Sequence, residues 1–150
     1  MTGFSKRKTI SQKAPPITAG EVSRWIKITK TYSDFSTAGL TNDIEIYSLP
    51  AKGIIQSCVI KHTTLFTGGL IATYTASVGI NGNLVKYAAT LNVLQAVGNT
   101  TFGLGAAIVP TVENFGAATS IRGSVVSTVG LLNAATQGSV DFYLLVSTLP

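Results

Sequence analysis

The chain has 150 residues, the size of one ordinary domain. Hydrophobic residues make up 45% of it and charged residues only 11%, against about a quarter charged in a typical soluble domain. Part of its surface must therefore be polar-neutral, apolar or covered by a partner. No run reaches the ~20 continuous apolar residues of a membrane-spanning helix; the richest, Gly103 to Val109, is interrupted by glycine and followed by Pro110. The N-terminal MTGFSKRKTIS lacks an apolar stretch behind its positive charges and does not read as a secretory signal. Folding or assembly in a cytoplasm is expected.

In chain order, the first element is a basic arm. Lys6, Arg7, Lys8 and Lys13 occupy residues 1–13 without a single acid, giving +4 of the net +5. The remainder holds seven bases and six acids and is nearly neutral. Pro15 and Pro16 follow, favouring an extended, polyproline-like path and forbidding a helix. With Phe4 and Ile10 as its main apolar residues, the arm cannot build a core and is expected to be disordered when free. Such a segment becomes ordered when a neighbouring subunit holds it. We therefore read residues 1–20 as an extended docking arm carrying Lys6, Arg7, Lys8, Lys13, Pro15 and Pro16, and 21–150 as the folded domain. Phosphate binding is the weaker alternative, since nucleic-acid segments usually carry a denser charge run.

The body reads as strands. Val22 to Tyr32 is rich in β-formers, and Trp25, opposite Ile26 and Ile28, is expected in the core. Ile44 and Ile46 alternate with Asp43 and Glu45 until Leu49-Pro50, and Ile54 to Phe66 is long and β-branched. Ala72, Tyr74, Ala76, Val78 and Ile80 alternate with small polar residues, the period-two signature of a half-buried strand. Asn81-Gly82 then predicts a hairpin, because both residues tolerate the positive φ of a type I′ turn. The return strand is expected to place Val85, Tyr87, Ala89, Leu91 and Val93 on one face. Phe102 to Ile108, Ile121 to Val129, and Val140, Phe142, Leu144 and Val146 supply further strands. About eight strands punctuated by Gly, Asn and Pro predict an all-β, antiparallel sandwich, best matched by an eight-stranded jelly roll.

A search for chemistry finds no catalytic residues, no metal ligand set and no cofactor motif. The single cysteine, Cys58, sits in the apolar run GIIQSCVI and reads as a buried small hydrophobe. The single histidine, His62, lies four residues on, on the same strand face but about 13 Å away, too far to share a metal or to form a nucleophile–base pair. Asp43 and Glu45 share a face opposite Ile44 and Ile46, which reads as solvated outer surface rather than a glycosidase pair. Glu21, Asp34, Glu113 and Asp141 are isolated in sequence. Gly103-Leu104-Gly105 has no following helix or lysine and fits neither nucleotide fingerprint. Nothing here indicates an enzyme.

From about Asn42 onward the chain resembles small virion structural proteins of tailed bacteriophages. The resemblance is carried by Ile-Glu-Ile-Tyr-Ser-Leu-Pro (44–50), Val-Ile-Lys-His-Thr-Thr (59–64), Tyr-Thr-Ala-Ser-Val-Gly-Ile (74–80), Glu-Asn-Phe-Gly-Ala-Ala-Thr-Ser-Ile-Arg (113–122) and Asn-Ala-Ala-Thr-Gln-Gly-Ser-Val-Asp-Phe-Tyr-Leu-Leu-Val-Ser (133–147). It implies a jelly-roll subunit on a phage head, neck or tail, without enzymatic activity, associated with other copies of itself or with a major capsid or tail protein, assembled in the host cytoplasm and residing in the virion. A decoration or auxiliary capsid subunit is the leading expectation. A receptor- or carbohydrate-binding tail module would instead require Trp25, Tyr32 and Tyr47 to converge at one exposed site. An RNA-packaging coat protein would require salt-sensitive binding through the arm.

Overall fold

The computed structural model describes residues 23–94 and 111–150. The arm at 1–20, including Lys6, Arg7, Lys8, Lys13, Pro15 and Pro16, and the expected strand at Phe102–Ile108 lie outside the described residues. Seven strands are present among those described: β1 (Arg24–Thr31), β2 (Thr41–Leu49), β3 (Gly53–Thr67), β4 (Thr75–Ile80), β5 (Asn83–Asn92), β6 (Thr119–Val126) and β7 (Gln137–Thr148). One short 3-10 turn, Leu132–Ala134, precedes β7.

The strands form two sheets, ordered β1-β7-β3 and β2-β6-β4-β5, with every neighbouring pair antiparallel. Among the described strands the first pairs with the last and the second with the one before it, so strands distant in sequence are laid together only when the fold is complete. From β1 to β4 each connection crosses to the other sheet, and the inward residues of both sheets form one core. This is the antiparallel sandwich that the alternation predicts.

β7 shows why these residues make this fold. Val140, Phe142 and Leu144 are fully buried, Val146 nearly so, and each alternates with a residue on the opposite face. Phe142 meets Phe35 edge to face at 6.4 Å between centroids, a favoured arrangement of the ring quadrupoles. Across the sandwich it sits over Gly123 of β6, where a Cβ would come within 3.2 Å of its ring. A second aromatic pair, Phe66 and Tyr74, stacks at 4.8 Å. Gly138, at φ +142°, lies under the Phe66 ring, and a Cβ there would fall 2.3 Å from it. Both backbone conformation and space therefore require glycine.

Three sequence expectations need correction. Trp25 is 55% exposed rather than in the core. β1 turns Ile26 and Ile28 inward, so the strand's period puts Trp25 outside with Lys27 and Thr29. β4 starts at Thr75, leaving Ala72 exposed in the preceding loop. The single face expected for β5 is broken. The Asn81-Gly82 turn is present, with Ile80 opposite Asn83, but Val78 faces Ala88 and Ala76 faces Leu91. The extra β5 residues bulge, which reverses the alternation. Val85 and Ala89 point to solvent, while Ala88 joins Tyr87, Leu91 and Val93 inside. Gly79 permits this detour: a Cβ there would be 2.0 Å from the Asn83 carbonyl oxygen.

Two substitutions probe this core from opposite directions. Gly138→Ala must push the Phe66 ring away and adopt a disfavoured φ, and should lower the unfolding free energy in urea by about 3 kcal/mol. Tyr74→Phe removes a buried hydroxyl that has no hydrogen-bond partner among the described residues. It should leave the urea midpoint unchanged or raise it, within about 1 kcal/mol.

Candidate functional surfaces

The interior holds no reactive constellation among the described residues. Cys58 and His62 share the inward face of β3, as their spacing requires, and both are buried. Burial pushes the Cys58 thiol up to about 12, so it is not a nucleophile at neutral pH. No group of three His, Cys, Asp or Glu side chains is placed to hold a metal among the described residues.

Four of the acids are each engaged by a base. Asp43 on β2 is held by Arg122 on β6, which also donates to the Asp43 carbonyl at 2.8 Å. Glu113 accepts both contacts of Lys86 at 2.6 and 2.8 Å. Asp34 lies 4.0 Å from Lys30 and accepts from the Thr31 N–H at 2.7 Å. That backbone hydrogen bond is the main cause of its lowered pKa. Glu45 stays exposed beside the Asp43–Arg122 pair. These pairs tie strands and turns together, and none brings two carboxylates together for acid–base work.

Asp141 is the most deeply buried acid of the group, although β7 directs it to the outer face of the three-stranded sheet. The register sets Thr29 on one side of it and Lys61 on the other. It accepts from Thr29 Oγ1 at 2.6 Å, Lys27 Nζ at 2.9 Å and the Tyr143 hydroxyl at 3.4 Å. Lys27 Nζ lies 5.8 Å from the centroid of the Tyr143 ring. Burial alone would raise the Asp141 pKa, but the hydrogen bonds from Thr29 and Lys27 outweigh it and hold it below the ordinary carboxylate value. Isolated in sequence, Asp141 finds its partners only when β1 pairs with β7.

The tyrosines and tryptophan of the tail-module expectation do not converge. Trp25 and Tyr32 lie seven residues apart along β1 and its exit, about 23 Å at strand rise. Tyr32 and Tyr47 pack against the core, Tyr47 from the other sheet.

The connections at one end of the sandwich are joined by backbone hydrogen bonds. Ser127 N–H donates to the Leu40 carbonyl (2.8 Å), Leu132 N–H to Gly39 (3.0 Å), Asn133 N–H to Thr37 (3.0 Å) and Ala72 N–H to Val129 (3.3 Å). Thr73 and Thr128 hydroxyls meet at 2.5 Å. The β1–β2, β3–β4 and β6–β7 connections thus form one platform, from which Leu40, Leu70, Val129 and Leu131 project into solvent.

No family model matches the chain, and no curated protein matches it. Among solved structures it is similar to a chain of the cyanophage Pam1 capsid asymmetric unit, with a TM-score of 0.59 and 18% identity, over 99% of this chain and 98% of that one. The two share a fold over nearly their whole lengths.

Two outcomes follow from the buried groups. Stability contributed by the lowered pKa of Asp141 is fully present above the ordinary carboxylate value and is lost as pH falls through the lowered one. The urea midpoint should therefore fall below about pH 4. Asp141→Asn should lower the midpoint at pH 7 and flatten that acid-side decline, with Asp34 supplying what remains. Separately, Cys58 should resist a soluble disulfide reagent in the native protein at pH 8 and react at once in denaturant.

Proposed function

We propose that this chain is a non-enzymatic structural protein of a tailed-phage virion, a capsid-associated decoration or auxiliary subunit. In this reading it joins the particle through its N-terminal arm and the outer surfaces of its sandwich. The observation that carries the proposal is the fold likeness to a capsid chain over nearly the full length of both proteins. Supporting it are the very low charge of the sequence and the use of the engaged acids in ion pairs that brace the fold.

The strand order supports a jelly roll within this reading. Pairing of the first strand with the last and of the second with the next to last is what a long hairpin rolled on itself produces. The arm's role follows from its composition. Lys6, Arg7, Lys8 and Lys13 offer positive charge, and Pro15-Pro16 keep the segment extended for addition to a neighbour's sheet edge. The partners are further copies of this chain or a major capsid or tail protein. Assembly takes place in the host cytoplasm.

A second reading, a ligand-binding tail module, would use the exposed Trp25 but without the convergence on Tyr32 and Tyr47 that it requires. Location separates the two. Particles produced from the genome that encodes the chain should carry it in many copies on the head, as read by quantitative mass spectrometry and antibody labelling. Deletion of residues 1–20 should reduce its particle-bound amount by at least about tenfold, the loss of roughly 1.4 kcal/mol of attachment. Labelling confined to the tail would favour the second reading, and absence from particles would refute both.

A further inference from the structure

We infer that the loop platform at one end of the sandwich is where copies of this chain meet one another. Its first mark is apolar exposure on a fixed frame. Leu70 is 84% exposed, Val129 52%, Leu131 45% and Leu40 42%, while the backbone beneath them is cross-bonded between three connections far apart in sequence. Apolar side chains held outward by an ordered frame lose little further freedom when they are covered.

Its second mark is the absence of charge. Phe35–Asn42, Thr67–Tyr74 and Val126–Thr136 contain no Lys, Arg, Asp, Glu or His. Asp34, just outside the first segment, is turned back onto Thr31. The opposite end of the sandwich is different. There Lys52 bonds the Pro150 carbonyl at 2.8 Å, Lys86 pairs with Glu113, and exposed Phe115 and Leu149 stand among these charges.

The charge pattern selects the occupant. In a closed symmetric oligomer, contacts close to the rotation axis bring a surface against copies of itself. Any charge there faces its own kind, and like charges at close approach repel. An apolar end whose only loop charge, Asp34, is paired with Lys30 limits that repulsion, and depletion of charge is what the centre of an interface requires. A charged partner, whether nucleic acid or a basic or acidic protein, would call for complementary charge on this end, and the single charge of these loops, Asp34, is already engaged by Lys30 and the Thr31 N–H. The inference rests on the virion-subunit reading and adds to it the surface used for self-association.

The test is the mass of the full chain in solution at micromolar concentration, by sedimentation velocity. The wild type should run as a defined multiple of 15.6 kDa. Leu70→Asp and Val129→Asp, alone and together, place like charges against each other at the contact and should return the mass to 15.6 kDa, with the far-UV circular dichroism and urea midpoint of the wild type. Phe115→Asp, which adds the same charge at the other end, should leave the mass unchanged. A monomeric wild type would overturn the inference, indicating that these loops are covered by a different protein or by residues 95–110 of the same chain. Loop variants with wild-type mass would overturn it equally. A monomer that still loads onto particles would refute this contact while leaving the virion reading intact.

Discussion

The structure depends on β7. It is the last strand, it lies between β1 and β3, and its inward row of Val140, Phe142, Leu144 and Val146 forms the centre of one wall of the core. Pairing with β1 joins residues more than a hundred positions apart, as between Thr29 and Asp141. The sheet holding the first and last described strands is thus stabilised by the most non-local contacts, whose loop-closure entropy must be met before they contribute. Phe142 sits where this requirement is strictest. It reaches across the core to Gly123 and sideways to Phe35, so one side chain joins the final strand, the opposite sheet and the first connection.

Once β7 is in place, polar groups far apart in sequence become partners. Asp141 is covered because Thr29 and Lys27 are brought beside it by the β1–β7 register. Its carboxylate would be costly to bury alone and is acceptable with three donors. The Arg122–Asp43 and Lys86–Glu113 pairs arise in the same way from strand and loop neighbours. Among the described residues, four of the acids (Asp34, Asp43, Glu113 and Asp141) serve to hold the fold together, and Glu45 stays exposed. The outward surface of those residues carries few charges, such as Lys52 and Lys61, among hydroxyls, apolar tips and one tryptophan. That distribution suits a subunit whose surfaces meet other protein.

Much of the fold was legible in the sequence because period two is a local signal. The Asn81-Gly82 hairpin and the alternation of β7 needed no partner to be recognised. Trp25 shows which local signal is stronger. Its aromatic character suggested the core, whereas its phase, one residue out of step with Ile26 and Ile28, put it outside. The β5 bulges were not legible. They depend on how β4 and β5 slide past each other and on the close crossing at Gly79, neither of which is written within β5 itself. The loop platform was half legible. The scarcity of charge in these connections, with Asp34 alone among them, can be read directly, but their convergence is a product of the topology. The docking role proposed for Lys6, Arg7, Lys8 and Lys13 rests on composition alone.

The most direct measurement is amide hydrogen exchange on the full chain at low and high protein concentration. The account predicts that the amides of Val140 to Val146 exchange only through global unfolding at both concentrations. It also predicts that Thr67–Tyr74 and Val126–Thr136 slow markedly at high concentration, as copies cover them. Exchange of β7 through local opening, at rates like those of the loops, would contradict the central place given to that strand.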